Sequence, residues 1–217
     1  MVERERKRKA VILDIDGVVN WRFPAQQAGI PLLGHHNPDK YTRSIKEVPI
    51  AFGPSRDLSN IVSCYSAARH FITPVFPDVT RVIKGLDREE TVIFGNTGRP
   101  NESLMVAATW GSLRIAGIAD RFALIYFKPK GQKTVEHKFA VSAKKAEEYG
   151  EENITVVDDN PYDLFPQAKR LRRGKFVLIE DLTTDRLTKG IDMASEYPNV
   201  IVAKTLRQGL AAKILFP

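Results

Sequence analysis

Val11-Ile12-Leu13-Asp14-Ile15-Asp16-Gly17-Val18-Val19 runs from an apolar stretch straight into two aspartates and a glycine. The residues before Asp14, 10–13 (AVIL), are apolar throughout rather than alternating. Such a run reads as a short strand covered on both faces, the habit of parallel sheets. The same pattern recurs at 91–94 (TVIF), 122–127 (FALIYF), 154–157 (ITVV), 176–179 (FVLI) and 200–203 (VIVA). Helical spacing lies between these runs. Residues 78–86 place Val79, Val82, Ile83 and Leu86 on one face, 102–115 follow Pro100, 137–149 end at Gly150, and 205–216 close the chain. Strands alternating with helices predict an α/β fold with a doubly wound, mostly parallel sheet.

Residues 18–76 break the rhythm. They are rich in Pro, Gly, His and Asn, with one helical candidate over 58–70. We read 1–17 and 77–217 as the core domain and 18–76 as a small cap inserted after the first strand. The bland alternative is a long loop packed on the side. No internal repeat and no low-complexity tract is present.

The chain has 217 residues, enough for one well-buried core plus a modest insertion. Its 43% hydrophobic and 27% charged residues are those of an ordinary globular protein rather than a disordered one. No apolar run approaches the roughly 20 residues that span a bilayer, so no membrane partner is expected. The N-terminal MVERERKRK lacks the apolar region of a signal peptide. Cys64 is the only cysteine, which excludes an internal disulfide and fits the cytoplasm. The net charge of +7 favours anionic partners. Part of the excess sits at 4–9 and 169–175, without the aromatic interleaving of a nucleic-acid motif beside either cluster. Solvated surface charge is the plainer reading of both.

Asp14 and Asp16 stand at the carboxyl end of the first strand, where open α/β sheets bind ligands. Alternation points both carboxylates to one side. Two such anions repel unless a cation lies between them, and an oxygen-seeking ion such as Mg²⁺ answers that need. One aspartate can then attack an electrophile while the other exchanges a proton. A calcium loop matches only partly, because the further acidic ligands are missing. The fourth strand ends in Asp158-Asp159-Asn160-Pro161, with Asp163 close behind. Acid pairs at two parallel strand ends can meet on one metal, although Asp, Asn and Pro also make ordinary turns.

Asp14-x-Asp16-Gly-Val-Val after an apolar strand resembles the first motif of the haloacid dehalogenase superfamily, and Asp158-Asp159 after another strand resembles its fourth. The resemblance covers the chain from Lys9 to about Leu164, apart from the insertion. It implies a Mg²⁺-dependent phosphatase that forms an aspartyl-phosphate on Asp14, with Asp16 as acid and base. The metal would be held by Asp14, the backbone carbonyl of Asp16, and Asp159 or Asp158, Asp159 being preferred. Asp163 would support the site from behind. Thr97-Gly98-Arg99 is similar to the family's second motif, whose hydroxyl binds the phosphoryl group. The Ser/Thr-Asn form of that motif would instead put Gly95 at the key place. Gly98 and Arg99 are then candidate substrate contacts, Arg99 through a second anionic group or by pairing with a nearby acid. For the third motif, a lysine that neutralises the phosphate, Lys138 and Lys128 (in Lys128-Pro129) both qualify, and either could be a surface lysine. Expected partners are a small phosphorylated substrate or a nucleic-acid end. His35 and His36 could touch substrate, and Cys64 reads as a small apolar residue. A binding protein without activity on the same scaffold, or a phosphotransferase to another acceptor than water, are the rival readings.

Overall fold

The computed structural model describes residues 8–20, 68, 71, 73–179 and 194–214. The helical candidate at 58–70 lies almost wholly outside the described residues, as do His35, His36 and Cys64 and most of the expected cap.

Six strands form one parallel sheet among the described residues: β1 Lys9–Leu13, β2 Thr91–Pro100, β3 Phe122–Lys128, β4 Ile154–Asp158, β5 Lys175–Ile179 and β6 Val200–Ala203. Their order is β3-β2-β1-β4-β5-β6. The helices between them are α1 Pro77–Gly85, α2 Ser103–Ile115, α3 Thr134–Tyr149, α4 Pro161–Arg170 and α5 Leu206–Ile214. All six expected strands form, and β1, β4 and β5 are covered on both faces as their apolar runs predict, while the edge strand β3 leaves Ala123 and Leu124 exposed. Val11, Leu13 and Ile15 point to a core closed by Val79 and Ile83 of α1, Leu113 of α2, and Leu206 and Leu210 of α5. Ala10 and Ile12 point the other way, to a core with Leu164, Phe165 and Ala168 of α4 and the inner side of α3. Each fully buried Leu, Ile or Phe contributes roughly 1.5–3 kcal/mol of apolar burial, so both layers are firmly held.

Three differences from the sequence reading bear on the site. β2 does not stop at Phe94. It continues through Gly95-Asn96-Thr97-Gly98 to Pro100, because Gly95 to Thr97 pair with Ile125 to Phe127 of β3. The expected loop is therefore strand. α3 begins at Thr134, three residues before His137. α4 has no counterpart in the sequence reading. Asn160 caps it by accepting a hydrogen bond from the Tyr162 N–H at 3.2 Å, and Pro161 opens its first turn.

The strand order reverses between β1 and β4, which pair directly, with Leu13 opposite Val157. The crevice at such a switch point lies at the carboxyl ends of the strands. The Asp14 N–H donates to the Val157 carbonyl at 2.9 Å and so carries the ladder one step past β1. Gly17 then turns at φ 83°, a left-handed conformation that suits glycine. Val18 and Val19 remain in the core, and Asn20 pairs with Val75 where the chain returns.

Candidate active site

Asp14 follows β1, Asp158 is the last residue of β4, and Asp159 follows it. One carboxylate oxygen from each lies within 4.8 Å of the others, and all three side chains are buried. Lys138, on the second turn of α3, reaches into the group from the α3–α4 layer. Its Nζ donates to Asp14 Oδ2 at 2.9 Å and to Asp158 Oδ2 at 2.7 Å, and lies 3.4 Å from Asp163 Oδ2. Only 3% of Lys138 is exposed. The other oxygens of Asp14 and Asp158 are fixed by backbone. The Ile15 N–H donates to Asp14 Oδ1 at 2.8 Å and the Asn160 N–H to Asp158 Oδ1 at 2.9 Å. The Asn160 amide also donates to Asp163 Oδ2 at 3.0 Å, so the α4 cap braces the acid behind the pair.

The electrostatics follow from burial. Desolvation pushes Asp14 up to about 7, with Lys138 pulling it down and Asp158 and Asp16 pushing it further up. Desolvation likewise raises Asp158 to about 6, against the pull of Lys138. Burial alone would lower the pKa of Lys138, but Asp14, Asp158 and Asp163 raise it well above the ordinary lysine range. The ammonium stays charged, and it leaves the carboxylates short of positive charge.

Asp16 sits apart from this cluster. Its two oxygens accept a fork from Arg99: Nε to Oδ2 at 3.0 Å and Nη2 to Oδ1 at 2.6 Å. Arg99 also donates to Thr109 Oγ1 at 2.7 Å, and that hydroxyl donates to the Met105 carbonyl within α2. The guanidinium is thus turned to Asp16 and α2, with 2% of the side chain exposed, while 27% of the Asp16 side chain stays open to solvent. Of the two roles read for Arg99, its contacts are those of the pairing role.

The other expected residues divide. The Thr97 hydroxyl, fully buried, accepts the Arg99 N–H at 3.2 Å. A side chain at Gly95 would meet Ile125 at 3.0 Å and Ile15 at 3.2 Å, so that position belongs to the core. At Gly98 a Cβ would come within 2.9 Å of Thr134, which gives this glycine a packing reason where β2 meets α3. Lys128 ends β3, two strands from β1, and donates to the Gln132 carbonyl at 3.0 Å. Among these candidates the described contacts bring Asp14, Asp158, Asp159, Asp163 and Lys138 together, and Asp16 with Arg99. They do not bring Lys128 there.

The fold that carries this acid cluster has known counterparts. Three solved structures superpose over nearly the whole chain. CbbY from Rhodobacter sphaeroides in complex with phosphate shares 13% identity at a TM-score of 0.60, covering 95% of this chain and 99% of that one. YfnB from Bacillus subtilis, a HAD-hydrolase bound to magnesium, shares 14% at 0.58, covering 96% and 100%. A HAD family hydrolase from Deinococcus radiodurans with bound phosphate and sodium shares 15% at 0.56, covering 97% and 98%. The fold is that of the haloacid dehalogenase-like hydrolases. No family model matches the sequence, and no curated protein does.

On this HAD-like fold, sequence reasoning missed two residues that shape the site. Asn96 donates from its amide to the Lys138 carbonyl at 3.0 Å, which ties the second turn of α3 to β2. Thr109 anchors the Arg99 fork. The alternation along β2 could have revealed Asn96 only if the strand had been known to continue past Gly95.

Proposed function

We propose that the chain is a Mg²⁺-dependent phosphomonoester hydrolase acting through an aspartyl-phosphate on Asp14. The convergence of Asp14, Asp158 and Asp159 on one buried point served by a single lysine carries this reading.

The donor set fits the metal. Among the described residues three carboxylates face one ammonium, and the pKa values of Asp14 and Asp158, raised first by burial and further by the neighbouring acids, would fall with a cation between them. The donors are all oxygens, with no His or Cys among them, which suits a hard divalent cation. Asp14, Asp158 and Asp159 would hold it together with the Asp16 carbonyl. When bound, Mg²⁺ would supply positive charge to phosphoryl oxygens and favour the ionised form of Asp14.

The chain's own groups then divide the work. An Asp14 oxygen attacks phosphorus in line as the bond to the leaving alcohol oxygen breaks. Asp16, partly open to solvent and held in place by Arg99, gives its proton to that oxygen. As a carboxylate it next takes a proton from the water that attacks phosphorus, releasing phosphate and freeing Asp14. Lys138 keeps its charge throughout and opposes the charge developing on the equatorial oxygens. The Thr97 oxygen accepts from Arg99, so its proton remains to donate to a phosphoryl oxygen.

The test is a panel of phosphorylated metabolites, nucleotides and 5′- or 3′-phosphorylated oligonucleotides, assayed for phosphate release with Mg²⁺ and with EDTA. Release with Mg²⁺ that EDTA stops is expected for at least one class. A flat panel would overturn the reading.

A further inference from the structure

A groove runs along α4. It has a volume of about 500 Å³ and is lined by Tyr162, Phe165, Tyr197, Lys169, Arg170 and Arg172, with Pro161 and Pro166 in its floor. Three of the lining residues are cations and none is an acid. Lys169, Arg170 and Arg172 are all exposed. Arg170 lies 4.5 Å from the centre of the Phe139 ring, which holds its guanidinium over an apolar base. Tyr162 is 39% exposed. Tyr197 is half-buried against Phe165, with the ring centres 5.1 Å apart.

Cations beside an exposed ring, Tyr162, and a half-buried one, Tyr197, without an acid among the lining residues, match one polymer. Phosphates pair with the cations and unstacked bases lie on the rings. A duplex keeps its bases stacked inside and has no use for the rings. A membrane surface would meet a flat or protruding face rather than a recess. The groove also has a direction. Pro161 and Tyr162 directly follow Asn160, whose N–H binds Asp158, while the three cations gather at the far end of α4. A ten-residue helix is about 15 Å long, a span of a few nucleotides.

We infer that this groove binds single-stranded nucleic acid, and, resting on the phosphatase reading above, that it leads the strand's terminal phosphate toward Asp14. The two basic clusters of the sequence thus part company, the one at 169–175 supplying a binding edge.

The test is fluorescence anisotropy of a short labelled oligothymidylate with the full chain, in EDTA so that no turnover contributes, over a range of salt. Lys169→Glu with Arg172→Glu removes two phosphate contacts. At roughly 0.7 released counterions per contact, the slope of log K against log salt should flatten by about 1.4, and affinity at roughly 0.1 M salt should drop about 25-fold. Tyr162→Ala should weaken binding about fivefold or more with the slope unchanged, the signature of lost stacking. Melting temperatures of the variants check that both fold. Asp14→Asn should bind as the wild type does, since the groove does not depend on the nucleophile. No oligonucleotide binding, an unchanged slope in the double variant, or binding to phosphatidylserine vesicles in its place would overturn the inference. Groove-dependent binding by a protein that releases phosphate from no substrate would uphold the groove and sink the phosphatase reading alone.

Discussion

Replacing Lys138 with Met removes the one cation that, among the described residues, holds the acid cluster together. The side chains are similar in length, so the change is mainly one of charge. In the wild type the ammonium lies 2.9 Å from Asp14, 2.7 Å from Asp158 and 3.4 Å from Asp163, all buried. Breaking a buried ion pair from one side costs about 3–5 kcal/mol, because the remaining charge has lost its partner. Here three acids lose it together, and they can limit the cost only by taking up protons. Asp14 already sits at about 7 with the lysine in place, so its loss drives the nucleophile to the protonated form at neutral pH. The expected outcome is a loss of about 3–5 kcal/mol in urea denaturation at pH 7.5 without metal, and a fall in kcat of at least about a hundredfold. The sign with pH is fixed. The acids of the variant bind protons more readily folded than unfolded, so its stability falls as pH rises. The deficit against wild type should therefore shrink at pH 5. Equal stability of the two proteins at pH 7.5, or a deficit that grows toward acid, would refute the electrostatic account of the cluster.

The wild type carries a milder form of the same dependence. Asp14 and Asp158 are raised from 3.8 to about 7 and about 6, so the folded state holds extra protons between those values and stability falls as pH rises from about 4 to 7. Bound Mg²⁺, which favours the ionised carboxylates, should restore part of that loss. Thermal melts with and without Mg²⁺ should differ by roughly 5–10 °C at pH 7.5 and by little at pH 5. A shift independent of pH would place the metal elsewhere. Arg99→Gln should lower kcat about 10–100-fold while KM stays within about threefold, because the fork positions Asp16 rather than substrate. A large rise in KM at unchanged kcat would return Arg99 to direct substrate binding.

β1, β4 and β5 were readable because both faces of each are covered, so no polar alternation interrupts their apolar runs. Where tertiary pairing overrides composition, reading failed. Gly95 and Pro100 look like turn residues, yet pairing with Ile125 and Lys128 of β3 holds them extended. The helix after Asp159 was hidden by Asn160-Pro161 and by Pro166 inside it, residues that usually end helices. Its apolar spacing, Leu164, Phe165, Ala168 and Leu171, was nonetheless present.

The site shows the same split. Asp14 and the Asp158-Asp159 pair could be singled out because carboxylates at two strand ends of a parallel sheet have a chemical purpose in common. The sequence favours Lys138 over Lys128, from its place near the start of the helix that feeds the Asp158 strand, without deciding between them. Only the packing of α3 against β1 and β4 puts the Nζ of Lys138 on Asp14, while Lys128 stays at the end of β3. The Arg99 fork joins residues 83 positions apart, and no local pattern encodes such a pairing.

The nucleophile itself can be observed. Protein turning over a substrate found in the phosphate-release panel is quenched in acid, digested and examined by mass spectrometry. A phosphoryl group should appear on the peptide carrying Asp14, accumulate in Asp16→Asn, where its hydrolysis is slowed, and be absent in Asp14→Asn, which should not turn over. Sustained turnover by Asp14→Asn, with no phosphoryl adduct on the wild-type peptide, would contradict the account.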